Sequence, residues 1–127
     1  MALAALRCEA VSFAYGAAPA LDTVSFTLAR GERAALLGRN GSGKSTLVKL
    51  ITGLLQPGAG TVWVGDWATR GRPPEELARR VGSVFQYAEQ QLFARSVRDD
   101  VSFGPRVLGL AAPECARRTA TALAALG

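Results

Sequence analysis

A glycine-rich stretch that ends in lysine and serine, Gly38 to Thr46, carries the residue types that bind phosphate groups. It fits the spacing of a phosphate-binding loop, in which a glycine and four further residues precede Gly-Lys-Ser. Its glycines allow backbone N–H groups to point inward as an anion nest, and Lys44 can reach the β- and γ-phosphates of a nucleotide. The Ser45 hydroxyl can ligate Mg²⁺. The spacing therefore predicts a nucleotide site, against the alternative of a glycine-rich turn with a surface lysine.

The flanking residues are those that such a loop needs to be positioned. Residues 33–37 form a short apolar run of strand length. After the loop, apolar residues recur at the spacing of one helix face, namely Leu47, Leu50, Ile51, Leu54 and Leu55. A helix that begins near Lys44 directs the positive end of its dipole at the loop. The order strand, loop, helix is the expected context of a phosphate-binding loop.

The remaining elements follow from alternation and from turn residues. We predict further strands over 6–15, 24–28, 61–64 and 81–85. Helices are predicted from 75 to about 80, from a Ser96 cap through 101 with an end near Gly104-Pro105, and from 113 to 126. The run before Asp66 could be taken for a buried strand that presents a metal-binding acid, but Gly65-Asp66 favours a hairpin turn.

Composition limits the class of protein. The chain has 127 residues, enough for one small globular domain, and a formal net charge of +5. Its basic residues are scattered, so we expect no nucleic-acid partner. It has two isolated cysteines and no histidine, which argues against a Cys/His metal site and against a disulfide framework. We expect no transmembrane segment, because no apolar run approaches 18 residues.

Several spaced motifs resemble the ATP-binding subunit of an ABC transporter, and they extend over nearly the whole chain. The matching segments are Phe13-Ala14-Tyr15, Ala20-Leu21-Asp22, Val24-Ser25-Phe26, Gly31-Glu32, the loop at 38–46, and Val81-Gly82-Ser83-Val84-Phe85-Gln86. The resemblance implies an α/β P-loop NTPase fold of ABC type, with ATP and Mg²⁺ as cofactors.

The resemblance also assigns roles to single residues. Tyr15 matches the aromatic residue that stacks on adenine, and Gln86 matches the Q-loop glutamine that contacts Mg²⁺ and the attacking water. Lys44 and Gln86 would be catalytic, and Ser45 and Gln86 would hold the metal. The implied nucleotide-binding set is Tyr15, Gly38, Asn40, Gly41, Ser42, Gly43, Lys44, Ser45 and Thr46. A half-buried tyrosine and a solvated loop amide are the plainer interpretations of Tyr15 and Gln86.

A narrower resemblance points to importers of the energy-coupling-factor and cobalt or nickel type. It rests on Gln90-Gln91-Leu92-Phe93, Asp100-Val101, Phe103-Gly104-Pro105 and Leu108-Gly109-Leu110. It implies uptake of a vitamin or a transition-metal ion, a second ATP-binding subunit, and a transmembrane coupling subunit contacted through residues 87–105. The location implied is the cytoplasmic face of the cell membrane. Alternatives are a non-catalytic nucleotide-binding fragment and a non-transport ABC ATPase that acts on DNA or the ribosome.

The chain lacks parts of the family pattern. The signature motif, the Walker B aspartate with its following glutamate, and the switch histidine are absent. We therefore expect an N-terminal fragment, 1–86 carrying the nucleotide-binding strands and loop and 87–127 the Q-loop and the first helices. In the family two strands lie between segments 34–38 and 81–85, so we expect these segments not to pair and to leave open apolar edges.

Overall fold

The computed structural model describes residues 3–127, which form two compact units. The first ends at Ser83, and the second runs from Val84 to Gly127. The first contains all four strands and two helices, whereas the second is helical. The fold is therefore α/β, as expected. The division of function between 1–86 and 87–127 stays a prediction.

A four-stranded antiparallel sheet in the order β2-β1-β3-β4 is the frame of the first unit. Its strands are β1 (Leu6–Tyr15), β2 (Ala18–Leu28), β3 (Ala59–Val64) and β4 (Trp67–Ala68). The predicted strands at 6–15, 24–28 and 61–64 are confirmed, although β2 begins six residues earlier than expected. The turn at Gly65-Asp66 joins β3 to β4, so the hairpin interpretation of this dipeptide is also confirmed.

The β1–β2 pair is interrupted by register shifts, and serine side chains satisfy the backbone there. Ala10 and Thr23 have positive φ values of 48° and 51°. The N–H of Ala10 donates to Ser25 Oγ, and the N–H of Thr23 donates to Ser12 Oγ, each at 2.8 Å. Bulges increase the local twist of a strand pair. They precede the end of β1, where Tyr15 lies.

Helix α1 (Lys44–Ile51) covers the sheet and completes the core. The fully buried apolar residues of this cluster are Cys8 and Val11 of β1, Val62 of β3, and Leu47 and Leu50 of α1. The helix is confirmed at its predicted start. It ends at Ile51 with Thr52 as its C-cap, earlier than Leu54 and Leu55 suggested, and Leu55 packs against the core from outside the helix. Burial raises the pKa of the Cys8 thiol to about 11.

Two arginines that flank a short helix hold the β3–β4 hairpin. Helix α2 (Pro74–Leu77) buries Leu77 completely. The guanidinium groups of Arg72 and Arg80 lie over the Trp67 ring at 4.4 and 3.8 Å from its centroid. Arg80 also pairs with Asp66. The two cation–π contacts fix the tryptophan, and the ion pair ties Arg80 to the turn, so this hairpin belongs to the scaffold.

The prediction of strands at 33–37 and 81–85 is wrong. Residues 32–39 and 81–85 have no strand conformation, and no ladder joins them to each other or to the described sheet. Strand hydrogen bonds require a neighbouring strand, and these segments find none within residues 3–127. The expected lack of pairing between 34–38 and 81–85 is confirmed. Leu37 and Val84 are 88% and 84% exposed.

The second unit consists of one turn of 3-10 helix, Ala88–Gln91, followed by α3 (Val97–Val107) and α4 (Ala112–Leu126). Ser96 caps α3 as predicted, since its Oγ accepts from the N–H of Asp99 at 3.1 Å. Helix α3 does not stop at Gly104-Pro105 but includes both residues. Pro105 lies in the last turn, where it removes one backbone donor, and the helix still continues to Val107. No helix in residues 3–127 is both long and apolar enough to span a bilayer.

Candidate functional site

The ammonium group of Lys44 lies inside the glycine-rich loop and is surrounded by its oxygen atoms. Lys44 Nζ donates to the carbonyl oxygens of Gly38 at 2.6 Å and Arg39 at 2.8 Å. Its third partner is Ser42 Oγ at 3.3 Å. A backbone bond from the N–H of Ser42 to the carbonyl of Arg39, 3.1 Å long, closes the turn. The loop therefore holds its cation in place by local hydrogen bonds.

Two of the loop glycines occupy positions where an added Cβ would come closer than 3.0 Å to a neighbouring atom. A Cβ on Gly43, whose φ is 97°, would lie 2.5 Å from the Ala20 carbonyl oxygen and 2.8 Å from Leu21 Cδ2. A Cβ on Gly38 would lie 2.5 Å from Ser42 Oγ. Contacts below 3.0 Å require something to move, and a strand backbone yields less than a side chain. Strand β2 thus packs directly against the loop at Gly43.

The start of α1 presents uncapped backbone donors and two hydroxyl groups. Gly43 is the N-cap, and within the described chain no side chain caps this end and no acidic residue stands in its first turn. Ser45 is exposed, whereas Thr46 is only 6% exposed. Free N–H groups together with the helix dipole favour an anion at this position. The donor set of Lys44, Ser45 and the helix end suits a phosphate chain.

Tyr15 reaches the same helix end from β1. Its ring stands edge-on to Phe13 with centroids 5.0 Å apart. Its hydroxyl lies 3.2 Å from Thr46 Oγ1, and the side chain is 50% exposed. An aromatic ring with an open face beside a phosphate site can stack on a nucleobase. The structure thus brings together Tyr15 and the P-loop helix, 31 residues apart in the chain.

The other predicted loop residues are exposed around the lysine. Asn40, Gly41 and Ser42 are open to solvent, and Gly41 has a φ of 83°. Gln86 is exposed and belongs to the second unit. The role of each residue in the predicted site stays a prediction.

The side chains that could ligate a metal are dispersed over the described part of the chain. Among residues 3–127 no group of three or more acidic, cysteine or histidine side chains could hold a metal ion. Asp66, at the β3–β4 turn, is engaged by Arg80, which holds the pKa of that carboxyl below its ordinary value. A Mg²⁺ ion here would depend on the phosphates of a nucleotide and on the Ser45 hydroxyl, which is how Mg²⁺ is often held beside phosphates.

Some contributors to the site were not identified from the sequence. Ala20 and Leu21 of β2 brace Gly43, and Phe13 contacts the Tyr15 ring. Ser42 was assigned to the nucleotide set, and here it also accepts from Lys44. The available signal was the group Ala20-Leu21-Asp22, part of the family resemblance, but its spacing alone gave no reason to place it under the loop.

Comparisons with known proteins agree with this architecture. Residues 21–127 match the ABC transporter family, and the chain belongs to it. The chain is 47% identical over 125 residues to the cobalt import ATP-binding protein CbiO of Rhodobacter capsulatus, covering 95% of this chain and 44% of that protein. It is 45% identical over 126 residues to the energy-coupling factor transporter ATP-binding protein EcfA2 of Symbiobacterium thermophilum, covering 94% and 44%.

A solved structure of an ABC transporter subunit has the same fold as this chain. CbiO1 of Clostridium perfringens, described as part of the ABC transporter complex cbiONQ, superposes with a TM-score of 0.82 and 34% sequence identity. The superposition covers 95% of this chain and 49% of that one. The chain therefore has the ABC-type ATPase fold and spans about half the length of the relatives that it matches.

Proposed function

We propose that this chain is the nucleotide-gripping part of the ATP-binding subunit of an ABC-type importer. In such a subunit, ATP binding and hydrolysis drive the uptake of a vitamin or a transition-metal ion. The observation that carries the proposal is the position of Lys44 inside the loop at the uncapped start of α1. The relatives named for cobalt import and for energy-coupling factors support the transport class.

The loop residues would hold ATP by its phosphates. Lys44 would exchange part of its carbonyl contacts for phosphate oxygens, and the N–H groups of Gly41, Gly43 and Ser45 would donate to them. Tyr15 would provide the face on which adenine stacks. Mg²⁺, when bound with ATP, neutralises phosphate charge, and Ser45 and Gln86 are the residues of this chain that would hold it.

The test is a titration of the purified chain with a fluorescent ATP analogue in the presence of Mg²⁺. Lys44→Ala should weaken binding by about tenfold or more, because charge-assisted hydrogen bonds are among the strongest polar contacts. Lys49→Ala is the matched control, since Lys49 is the other lysine of the chain and lies in the last turn of the same helix. Equal losses in both variants would indicate nonspecific attraction and contradict the proposal.

A second candidate function is binding of nucleotide without hydrolysis. Within residues 3–127 the hydrogen-bond partners of Lys44 are two carbonyls and one hydroxyl, with no carboxylate among them. Phosphoryl transfer requires a positioned water and stabilisation of the developing charge, and binding the ground state does not supply these. We expect phosphate release by the chain alone to equal that of Lys44→Ala. Turnover that disappears in this variant would contradict the non-catalytic interpretation.

The proposed membrane partner would contact residues 87–105. Within this segment Leu92 and Phe93 are 67% and 65% exposed. Phe93 also stands edge-on to Phe103 at 4.7 Å, which fixes an aromatic pair at the surface. Neighbouring exposed apolar side chains offer a partner a surface to bury. A second ATP-binding subunit and a position at the cytoplasmic face of the membrane belong to the same proposal.

The partner proposal is tested by reconstitution with the remaining subunits of the cbiONQ complex of C. perfringens. Leu92→Asp combined with Phe93→Asp should abolish co-purification with the membrane subunits. Leu126→Asp, which changes a residue 90% exposed outside the segment, is the control and should leave co-purification unchanged. If only Leu126→Asp abolishes co-purification, the membrane partner does not contact residues 87–105 and the partner proposal is contradicted.

A further inference from the structure

The Tyr15 hydroxyl makes a contact that stacking on a base does not require. Stacking on a base needs only an aromatic face, which phenylalanine provides equally well. In this chain the phenol group lies 3.2 Å from Thr46 Oγ1 in a partly buried position. The ring is also held edge-on by Phe13 at 5.0 Å. Two contacts on different parts of the side chain therefore fix Tyr15 beside the start of α1.

The Thr46 hydroxyl is a polar group in a buried place. Thr46 is 6% exposed and lies in the first turn of α1, where backbone donors converge. Within residues 3–127, Tyr15 is the one hydrogen-bond partner of this hydroxyl. Either hydroxyl could donate, but a phenol is more acidic than an aliphatic alcohol and is the better donor. If Tyr15 donates, the Thr46 proton has no acceptor within the protein.

We propose that Tyr15 is a positioning residue for Thr46, and that its hydroxyl sets the direction of the Thr46 proton toward the phosphate chain of a bound nucleotide. The inference rests on the proposed function and deepens it, because it divides the binding contribution of Tyr15 into two parts. The ring acts on the base, and the hydroxyl acts on the phosphates through Thr46. Preorganised donors bind an anion more tightly than donors that must first reorient.

Two probes separate these parts: ATP, which has a base, and inorganic tripolyphosphate, which has none. Both are titrated in the presence of Mg²⁺ against the wild-type chain, Tyr15→Phe and Tyr15→Ala. Tyr15→Phe should weaken tripolyphosphate and ATP by the same factor, about three- to tenfold, which is the effect of one hydrogen bond. Tyr15→Ala should weaken tripolyphosphate no further, but it should weaken ATP by about another tenfold through lost stacking.

A double-mutant cycle tests whether the hydroxyl acts through Thr46. In the T46V background, Y15F should have no effect on tripolyphosphate affinity, because no hydroxyl remains to be positioned. In the T46S background, which keeps the hydroxyl, Y15F should again weaken binding by about three- to tenfold. A structural effect of the phenol would appear equally in all three backgrounds and would overturn the inference.

Lys44→Ala distinguishes failure of this inference from failure of the proposed function. If Lys44→Ala weakens both probes while Tyr15→Phe leaves tripolyphosphate unchanged, the site stands and the positioning role of Tyr15 is refuted. If Lys44→Ala leaves both probes unchanged, the nucleotide site itself is refuted, and the inference with it. Urea unfolding of each variant identifies the conditions in which it is folded, and affinities are compared between folded proteins.

Discussion

The brace that β2 forms beneath the P-loop can be tested with a single methyl group at Gly43. Alanine at this position would put a Cβ 2.5 Å from the Ala20 carbonyl oxygen and 2.8 Å from Leu21 Cδ2. Both neighbours belong to β2. The Leu21 side chain can turn away by changing its rotamer, but the Ala20 carbonyl is backbone and cannot. The methyl would force β2 and the start of α1 apart.

The expected cost has two parts. A φ of 97° is unfavourable for alanine and costs about 1–2 kcal/mol. Overpacking against fixed atoms costs about 1–3 kcal/mol more. Gly43→Ala should therefore lower the free energy of unfolding by about 2–5 kcal/mol, a large part of the stability of a small domain.

Two other glycines provide matched controls. Gly16, in the β1–β2 turn, has a φ of 57° and open space around its Cβ position, so Gly16→Ala carries only the backbone strain of about 1–2 kcal/mol. Gly82 has open space and no positive φ, so Gly82→Ala should change stability little. Urea unfolding followed by circular dichroism measures all three.

The order of destabilisation is the decisive result. We expect Gly43→Ala to exceed Gly16→Ala, and Gly16→Ala to exceed Gly82→Ala. If Gly43→Ala and Gly16→Ala cost the same, the clash with β2 does not exist and the brace is refuted. ATP affinity should fall in the Gly43 variant alone, because this glycine is the N-cap of the helix that would bind phosphate.

Two further outcomes follow from side-chain environments. Thr69 is fully buried and its Oγ1 has no hydrogen-bond partner in the described structure. Thr69→Val should therefore raise the free energy of unfolding by about 1 kcal/mol. A lower free energy of unfolding in this variant would mean that the hydroxyl is hydrogen-bonded. Arg117 and Arg118 lower the pKa of Glu114 from 4.5 to about 2. The ionised carboxylate therefore stabilises α4 fully above pH 4.5, and this stabilisation disappears as the pH falls toward 2. The stability difference between wild type and Glu114→Gln should therefore narrow over that range; a constant difference would contradict the ion pairs.

The sequence by itself determined the features that depend on neighbouring residues. The helix after Lys44, the turn at Gly65-Asp66, and the Ser96 cap were all predicted correctly. A cap or a tight turn is specified by a few consecutive residues and their own backbone preferences. The spacing of Gly38, Lys44 and Ser45 indicated phosphate chemistry for the same reason, since the loop supplies its donors locally.

Only the tertiary structure decided which distant residues meet. Nothing in the spacing of Ala20 indicated that its carbonyl lies under Gly43, or that the Tyr15 hydroxyl meets Thr46. Those contacts depend on how β1 and β2 bend at their bulges and on how α1 packs across the sheet. Segments 33–37 and 81–85 also show that local sequence does not decide long-range pairing. Their composition favours strands, but a strand forms only where another strand accepts its hydrogen bonds.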